Sequence, residues 1–410
     1  MYLSLGYEKT KRLSGTISGH YIFMNQHTDY DKVADANNLM KSGKKCVKNV
    51  SWKYSTQNFY LDRINRVRKS KNRLNNMDRM SDGFTVFKVN ERGKIRNIRS
   101  VHINERMVQK TLSELSLVPT IRPKLIYDNY ASLEERGIQM AFNRLKVHLW
   151  RYYRKHGNND GYVLVADLHA YFDSVDHDCV YEQLSKVFRD DPKTLYLIMD
   201  FVDAFGEKSL GLGSQVSQII AMFYPNKIDH YIKEVLKIEG YGRYNDDFVL
   251  IHSDKAYLQY CLDKINEMYS DLGIELNQNK TKICKLSSGF KFLKTKVHLT
   301  DTGRVVIRPD RKLIVRERRK LKKLKIKLDN GELEFEEVKQ QYMSWRGYIE
   351  KFDSYKTLQD MDKLFNDLFI LDWKQVEHKK KRRKSYDVKY GEKQSPACRR
   401  HGLELETEWD

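Results

Sequence analysis

The sequence predicts an α+β fold, in which antiparallel strands and helices precede a separate, wholly helical region. Short apolar runs with strand character recur between about residues 84 and 299, and turn residues bound each of them. Longer stretches with helical periodicity lie between these runs. After Asp301-Thr302-Gly303 the strand signals cease and two amphipathic helical patterns follow one another. The strands and the final helices are therefore expected to belong to different subdomains.

The first part of the chain contains a predicted β-hairpin. Residues 1–50 are polar and show only weak periodicity, whereas residues 52–76 have a basic helical pattern. Residues 84–89 alternate as a strand does, and a turn at Asn90–Lys94 leads into a second, basic strand at Ile95–Val101. Further helical patterns follow at 105–115, 134–154 and 255–272, and further short strands at 282–285 and 290–299.

The chain carries a large excess of positive charge. Its 410 residues include 75 lysines and arginines against 55 aspartates and glutamates, which gives a net charge of +20. Such an excess favours polyanionic partners, because each neutralised phosphate releases condensed counterions. Nucleic acid is the favoured partner, and an anionic membrane surface is the weaker alternative. No apolar run approaches the length of a membrane span, and we expect a cytoplasmic protein without a secretory signal.

The five cysteines do not follow a metal-binding pattern. They are widely spaced and include no C-x-x-C pair, which disfavours a zinc ribbon or a zinc-bearing nuclease module. We therefore expect reduced thiols that are buried or incidental.

Two acidic sites lie at the ends of predicted strands. Residues 161–167 form an apolar run that ends in Asp167, and a predicted hairpin over Tyr241–Ile251 carries Asp246 and Asp247 at its tip. If these strands are neighbours, the carboxylates converge on a site that could hold two Mg²⁺ ions roughly 4 Å apart. Taken alone, Asn-Asp-Asp is also simply a good turn sequence, so the interpretation depends on the surrounding motifs.

Five segments, taken in order, resemble the motifs of the reverse transcriptase family. They are Asp167–His177 (DLHAYFDSVDH), Leu212–Gln218 (LGSQVSQ), Tyr244–Asp247 (YNDD), Gly273–Lys282 (GIELNQNKTK) and Phe290–Leu293 (FKFL). The fourth carries the family's lysine, and the fifth resembles the primer-grip hairpin. The S-Q ending of the second resembles diversity-generating and defence-associated bacterial members. With the basic hairpin, the resemblance covers about residues 50–370, and it implies a right-hand polymerase fold with fingers, palm and an α-helical thumb.

The resemblance also implies a division of the chain into four parts. These are an N-terminal extension at 1–50, fingers and palm at 51–300, a helical thumb at 301–372 and a basic C-terminal tail at 373–410. Amphipathic helices predicted at 311–328 and 332–350 would build the thumb, whose basic face would follow the template–primer backbone. A run of lysines and arginines at 379–384 would make the tail RNA-binding.

The resemblance assigns the chemistry to the acidic sites. Asp167, Asp246 and Asp247 would be catalytic and would bind two Mg²⁺ ions, with Mn²⁺ as an alternative, and the Leu168 carbonyl would add a metal ligand. Phe172 stands at the family's steric-gate position, where a bulky ring would clash with a ribose 2′-OH and favour deoxynucleotides. Asp173 and Asp176 are interpreted as structural or capping acids and not as metal ligands.

The resemblance also assigns substrate contacts. Nucleotide contacts are predicted for Lys94, Arg96, Phe172, Gln218 and Lys280. Template or primer contacts are predicted for Gly213, Tyr244, Phe292, Leu293, Arg318 and Lys322. Lys94 and Arg96 also fit a solvated basic edge strand, and Lys280 also fits a surface lysine. The chain departs from the family where Lys294 replaces the usual glycine after Leu293 and where Asn245 replaces a smaller residue.

Together these residues imply an RNA-directed DNA polymerase that uses two-metal phosphoryl transfer. Its partners would be dNTPs, an RNA template, a DNA or RNA primer and a dedicated noncoding RNA, in a bacterial or phage system such as antiviral defence. A homo-oligomer or an accessory protein is left open. The alternatives are a template-independent or RNA-synthesising polymerase on the same palm, a polymerase of a diversity-generating element, and a non-enzymatic, maturase-like RNA-binding protein. The three retained aspartates argue against the last, because buried unpaired carboxylates are costly without metal.

Overall fold

The structure, a computed structural model, describes residues 28–91, 94–131 and 133–370, without the side chains of Glu91 and Lys94. These residues form two compact units. One comprises the chain up to Leu293 together with Val297–Val305, and the other comprises Lys294–Lys296 together with the chain from Val306 onward. The predicted basic tail at 373–410 lies outside the described residues, and the four-part division of the chain stays a prediction.

The first unit begins with helices that lead into a β-hairpin. Its elements are α1 (Asp29–Ala34), α2 (Ala36–Val47), α3 (Tyr54–Leu61), α4 (Arg63–Asn75), β1 (Phe84–Glu91) and β2 (Lys94–Val101). The helix predicted over 52–76 is in fact two helices, because Asp62 between them leaves helical geometry at φ −104° and ψ 16°. The side chains of Thr28 and Asp35 cap α1 and α2, and Thr28 forms a capping box with Asp31. That T-x-x-D spacing is the signal that marks α1 in a stretch of weak periodicity.

Helices make up most of the remaining first unit. They are α5 (Ile103–Leu112), α6 (Val118–Ile121), α7 (Ile138–His156), α8 (Tyr171–Ser174), α9 (His177–Val187), α10 (Pro192–Asp203), α11 (Gln215–Phe223), α12 (Asn226–His230) and α13 (Lys255–Asp271). Single π-helical turns at Ser113–Leu117 and Tyr231–Val235 and 3₁₀ turns at Arg122–Lys124 and Leu286–Ser288 lie beside them. Asp176 caps α9 by accepting from two backbone N–H groups, as expected for a capping acid. Gly273, at φ +70°, follows the end of α13 as the predicted helix-ending glycine.

A four-stranded antiparallel sheet forms the centre of the first unit. Its strands are β3 (Tyr162–Asp167), β4 (Gly240–Tyr244), β5 (Asp247–His252) and β6 (Lys282–Lys285), in the order β4-β5-β3-β6. The two central strands are almost wholly buried, which accounts for their continuous apolar runs. Leu164 and Phe248 of these strands belong to the same buried cluster as Tyr30 and Leu39 of α1 and α2.

Three short strands form a third sheet. They are β7 (Phe290–Phe292), β8 (Thr295–Leu299) and β9 (Val305–Pro309), in that order. The stretch predicted as one strand over 290–299 is therefore two, joined by Leu293 and Lys294 at φ +45° and +63°. Two-residue turns with positive φ favour glycine or asparagine. This conformation explains why glycine is usual in the family at the position of Lys294.

The second unit is helical after β9. Its helices are α14 (Arg311–Asp329), α15 (Phe335–Ile349) and α16 (Tyr355–Phe365), followed by a π-helical turn at Asn366–Ile370. The predicted apolar faces are confirmed, since Leu321 and Leu324 of α14 share a buried cluster with Val338 and Tyr342 of α15. Phe365 of α16, a helix that was not predicted, stacks on Tyr342 with ring centroids 4.4 Å apart. Within the described residues, no helix is both long enough and apolar enough to cross a membrane.

Glu105 on α5 is a buried carboxyl group that is a weaker acid than an ordinary glutamate. Its oxygens accept hydrogen bonds from the backbone N–H of Asp82 at 3.2 Å and from Nε2 of Gln109 at 2.9 Å. Burial raises the pKa of Glu105 from 4.5 to about 7, because these two hydrogen bonds offset only part of the lost solvation. The folded protein therefore binds a proton at Glu105 in a pH range where the unfolded chain has released it.

We expect the Glu105 carboxyl to make the free energy of unfolding decrease as pH rises. Between its unfolded pKa of 4.5 and its folded pKa of about 7, the folded state binds more protons, so rising pH favours unfolding. The loss approaches about 3 kcal/mol above that range. Urea denaturation at pH 5 and pH 8 should show that the free energy of unfolding depends less steeply on pH in Glu105→Gln than in the wild type. The exposed Glu336→Gln serves as the control with an unchanged slope, and equal slopes in all three proteins would contradict the assignment.

Candidate active site

The register between β3 and β5 brings the two predicted acidic sites together. Asp167, the last residue of β3, is the direct partner of Asp247, the first residue of β5. Beyond the end of β3, the backbone N–H of Leu168 donates to the carbonyl oxygen of Asp246 at 3.1 Å. The three aspartates therefore lie at the ends of two adjacent central strands, as the sequence interpretation requires.

A two-residue turn presents Asp246 between β4 and β5. Asn245, the first residue of this turn, has φ +52°. Asparagine adopts this left-handed conformation more readily than most residues with a side chain. The asparagine that departs from the family's usual small residue therefore suits the backbone that it must adopt.

The acidic cluster has an excess of negative charge in a poorly solvated place. Burial and then the charges of Asp246 and Asp167 together raise the pKa of Asp247 to about 7. The pKa of Asp246 is raised by burial and then by Asp167, while the positive charges of Lys280 and Arg96 act in the opposite direction. The two cations therefore compensate only part of the repulsion among the carboxylates.

Lys280 and Asn277 engage the third carboxylate directly. Nζ of Lys280 lies 2.8 Å from each oxygen of Asp167, and Nδ2 of Asn277 donates to Oδ2 of Asp167 at 3.1 Å. The backbone N–H of Asn277 also donates to the Asp167 carbonyl oxygen at 2.7 Å. Burial lowers the pKa of Lys280, but its contacts with Asp167 outweigh that effect and raise the pKa. The segment after α13 thus closes over the end of β3.

The donor set suits Mg²⁺, although the side chains are not gathered into a ready coordination shell. Among the described residues, no three His, Cys, Asp or Glu side chains form a group that could hold a metal ion as they stand. Asp167 is engaged by Lys280 instead. Carboxylate oxygens are nevertheless the ligands that Mg²⁺ prefers, and a divalent cation would relieve the repulsion that raises the pKa values of Asp246 and Asp247. Metal binding by the aspartates and by Leu168 stays a prediction.

Two of the predicted nucleotide contacts lie at the acidic cluster. Lys280 bonds Asp167, and Arg96, half-buried on β2, is close enough to lower the pKa of Asp246. Phe172 on α8 is half-buried, with its ring edge-on to Tyr171 at 5.9 Å. Gln218 is exposed on α11, and the side chain of Lys94 lies outside the described residues. The structure thus brings the basic hairpin and the lysine segment to the aspartates.

The glycine-containing loop before α11 packs on the hairpin. Gly213 has φ +126°, and a Cβ atom there would lie 2.5 Å from the carbonyl oxygen of Arg99. The preceding residue, Leu212, accepts a hydrogen bond at 2.9 Å from the backbone N–H of Arg99. A glycine is therefore required at this position by the protein's own backbone, apart from any contact with a template.

Gln109 is a site-supporting residue to which the sequence analysis gave no role. Its Oε1 accepts from the hydroxyl of Ser214 at 3.0 Å and from the backbone N–H of Gln215 at 3.1 Å. Gln109 is fully buried. It therefore fixes the start of α11 to α5, and the pair of polar residues one turn apart, Glu105 and Gln109, among the buried residues of α5 is the signal that could have identified it.

The remaining predicted template and primer residues are more dispersed. Tyr244 is half-buried at the end of β4, and Phe292 is buried with its ring edge-on to Phe142. Leu293 lies in the β7–β8 turn. Arg318 and Lys322 are exposed, four residues apart on α14 in the second unit. Their contacts with nucleic acid stay predictions.

A buried ion pair, which the sequence analysis missed, supports the acidic turn. Arg243 of β4 and Asp229 of α12 are both fully buried and are joined by hydrogen bonds of 2.8 and 2.6 Å. The same guanidinium donates to the carbonyl oxygens of Met222 at 2.8 Å and Asn245 at 3.0 Å, and the hydroxyl of Tyr241 donates to Asp229 at 2.5 Å. Every nitrogen of the guanidinium and both oxygens of the carboxylate are thus engaged, and one of these hydrogen bonds holds the turn that carries Asp246.

We expect Arg243→Met to reduce the free energy of unfolding by about 3–5 kcal/mol, because it leaves the Asp229 carboxylate buried without its cation. The double variant Arg243→Met/Asp229→Leu should recover part of that loss, since it removes the uncompensated charge. Lys186→Met, which breaks an exposed ion pair with Glu182, should leave the unfolding midpoint unchanged. Chemical denaturation measures all three, and an Arg243→Met variant as stable as Lys186→Met would refute the role of the pair.

Comparison with known proteins identifies the family. The sequence model described as reverse transcriptase (RNA-dependent DNA polymerase) matches residues 86–297, a little over half of the chain. No protein of curated function matches. Similar solved structures include apo telomerase from Candida tropicalis truncated from its C-terminal domain (16% identity, 54% of each chain, TM-score 0.43). Another is telomerase from Candida albicans in complex with a TWJ fragment of telomeric RNA (11% identity, 71% of this chain and 61% of that one, TM-score 0.45).

This chain spans about half to three fifths of the length of those telomerase chains. The family match covers the hairpin, the central sheet and the acidic turn, and it confirms the α+β right-hand polymerase fold that the sequence predicted. The chain belongs to the reverse transcriptase family, whose members are nucleotidyltransferases that act as RNA-directed DNA polymerases.

Proposed function

We propose that this chain copies an RNA template into DNA by adding dNTPs to the 3′ end of a DNA or RNA primer. The observation that supports this most directly is the placement of Asp167, Asp246 and Asp247 at the ends of two paired central strands. Burial and the neighbouring carboxylates raise the pKa values of Asp246 and Asp247, and such a crowded acidic cluster is poorly suited to a purely structural role. They are well suited to holding divalent cations opposite a triphosphate.

The side chains around the aspartates would divide the remaining work. Two Mg²⁺ ions, or Mn²⁺ in their place, would supply activation of the 3′-hydroxyl and neutralisation of the triphosphate when bound. Arg96 would bind the phosphates through its planar guanidinium, and Lys280 would leave Asp167 to neutralise the pyrophosphate. The ring of Phe172 would exclude a ribose 2′-OH. The Leu168 carbonyl would be an additional ligand beside Asp167.

The biological setting that we propose is a bacterial or phage system, such as antiviral defence, with a dedicated noncoding RNA as the template. The S-Q ending at Ser217 and Gln218 supports this, because it resembles diversity-generating and defence-associated enzymes. Such an enzyme would act in the cytoplasm, alone, as a homo-oligomer or with an accessory protein. The excess charge of +20 favours a large RNA partner.

Two alternative functions are compatible with the same palm fold. A template-independent or RNA-synthesising polymerase would use the same three aspartates, and the half-buried ring of Phe172 favours deoxynucleotides over ribonucleotides as its substrate. A non-enzymatic, maturase-like RNA-binding protein would not need the acidic cluster. The mutual repulsion of Asp246 and Asp247, which nearby cations only partly compensate, would then be a cost without a function.

We expect the purified protein to extend a primer on an RNA template with dNTPs and Mg²⁺. Asp246→Ala and Asp247→Ala should each reduce the rate by more than about 100-fold, since the loss of even an indirect partner of a metal ligand costs about 10- to 100-fold. Product sequencing shows whether the template is copied. An untemplated product would favour the template-independent alternative, and RNA binding by the wild type without any synthesis would favour the maturase-like one.

We expect Phe172→Ala to reduce discrimination between dNTPs and NTPs. Overpacking of a bulky ring against an extra group costs about 1–3 kcal/mol, so the ratio of the two kcat/KM values should fall by roughly 10- to 100-fold. Phe172→Tyr keeps the bulk and should keep the ratio. Single-nucleotide incorporation with each substrate measures it, and an unchanged ratio in Phe172→Ala would remove Phe172 from the selection of the sugar.

A further inference from the structure

Helices α3 and α4 and the turn before α3 present large apolar side chains to solvent, outside the site described above. Trp52, Tyr54, Tyr60, Leu61 and Ile64 are each between 49% and 82% exposed, and we call them the α3–α4 patch. Their spacing is helical, since Tyr60 and Ile64 are four residues apart across the break at Asp62 and Tyr54 and Leu61 are seven apart. Neither the acidic cluster nor the family motifs account for these side chains.

The helices that carry the patch are packed against the core of the first unit. Phe59 of α3 and Val67 and Leu74 of α4 are buried in the main core. Arg66 adds a hydrogen bond at 3.3 Å from Nη1 to the side-chain oxygen of Asn104 on α5. The inward apolar face of each helix therefore already packs against the core. The patch lies on the opposite, solvent-facing side of these two anchored helices.

Positive charge surrounds the patch and is interleaved with its rings. Residues 52–73 contain seven lysines and arginines and a single acidic residue, Asp62. The Lys53 ammonium lies 5.3 Å from the centroid of the Trp52 ring, and the Arg63 guanidinium lies 4.5 Å from that of Tyr60. Arg68 and Lys69 continue the exposed basic surface along α4. Exposed rings beside cations form the arrangement on which unpaired bases stack while phosphates are neutralised.

We propose that the α3–α4 patch binds an unpaired segment of the RNA partner, with bases stacked on its aromatic rings and phosphates held by the adjacent basic side chains. This inference rests on the proposed function for the identity of the RNA. An anionic membrane fits less well, because membrane-bound helices keep their apolar and basic residues on opposite faces, whereas here the inward apolar faces are buried. An acidic protein partner would not need accessible rings paired with cations.

A binding experiment with matched variants tests the patch. The probe is a labelled, unstructured single-stranded RNA of about 20 nucleotides, long enough to cover a stacking surface and its flanks. Trp52→Ala and Tyr60→Ala should each weaken binding by roughly 10-fold. Tyr260→Ala is the matched control, because Tyr260 is also 49% exposed but lies on α13, where three acidic residues accompany two lysines. It should bind as the wild type does.

Two further measurements separate stacking from charge. Arg68→Ala/Lys69→Ala should reduce the slope of log affinity against log salt by about 1.4, since each phosphate contact on a single strand contributes about 0.7. RNA should also quench tryptophan fluorescence of the wild type, and the Trp52→Phe variant should lose that part of the quenching. Loss of affinity for duplex RNA equal to the loss for single strands would overturn the proposal, because paired bases cannot stack on the rings.

The outcomes also distinguish this proposal from the proposed function. Asp246→Ala/Asp247→Ala should abolish synthesis and still bind the RNA probe, whereas the patch variants should extend a short annealed primer–template normally. A wild type that binds RNA through the patch but never extends a primer would refute the polymerase and not the patch. Unchanged RNA affinity in the patch variants would overturn the patch proposal. If the variants with unchanged RNA affinity instead lose binding to anionic vesicles, the patch is a membrane-binding surface. If they instead lose thermal stability, the patch serves packing within the chain.

Discussion

The antiparallel pairing of β3 with β5 is the constraint on which the candidate site depends. Both strands are almost wholly buried, so a slip in their register would force closely packed side chains on both faces to repack. In that register Asp167 lies opposite Asp247. A shift by one residue would move Asp167 to the other face of the sheet and away from the turn. The apolar runs of β3 and β5 therefore determine where the three aspartates come together.

Bringing three carboxylates together in a poorly solvated place requires compensation, and the protein provides it from several directions. Lys280 and Asn277 hold Asp167 from the segment after α13, and the positive charge of Arg96 on the hairpin lowers the pKa of Asp246. Arg243 holds the carbonyl oxygen of Asn245 from beneath, in a pair with Asp229 that is itself fully buried. The cluster is thus fixed by the backbone and by cations while its excess negative charge persists, and this combination suits a site for divalent cations.

The positive charge of the chain is distributed in different chemical forms. On α14, exposed residues such as Arg318 and Lys322 form a solvated basic face above an apolar core. On α3, on α4 and in the turn before them, basic residues lie beside exposed rings. The first form suits the regular backbone of a duplex, and the second suits unpaired bases. An enzyme that copies RNA must hold both kinds of structure.

The sequence alone determined the elements whose signals are local. The apolar runs, the Asn-Asp-Asp turn and the amphipathic periodicity predicted the central strands, the acidic hairpin and the α14–α15 pair, since each depends on neighbours a few residues apart. Only the tertiary structure decided which distant groups meet. The Arg243–Asp229 pair, the hold of Gln109 on Ser214 and the contact of Lys280 with Asp167 join residues 14, 105 and 113 positions apart. Nothing in a local pattern specifies such partners, because burial and charge compensation act between elements that only the folded chain brings together.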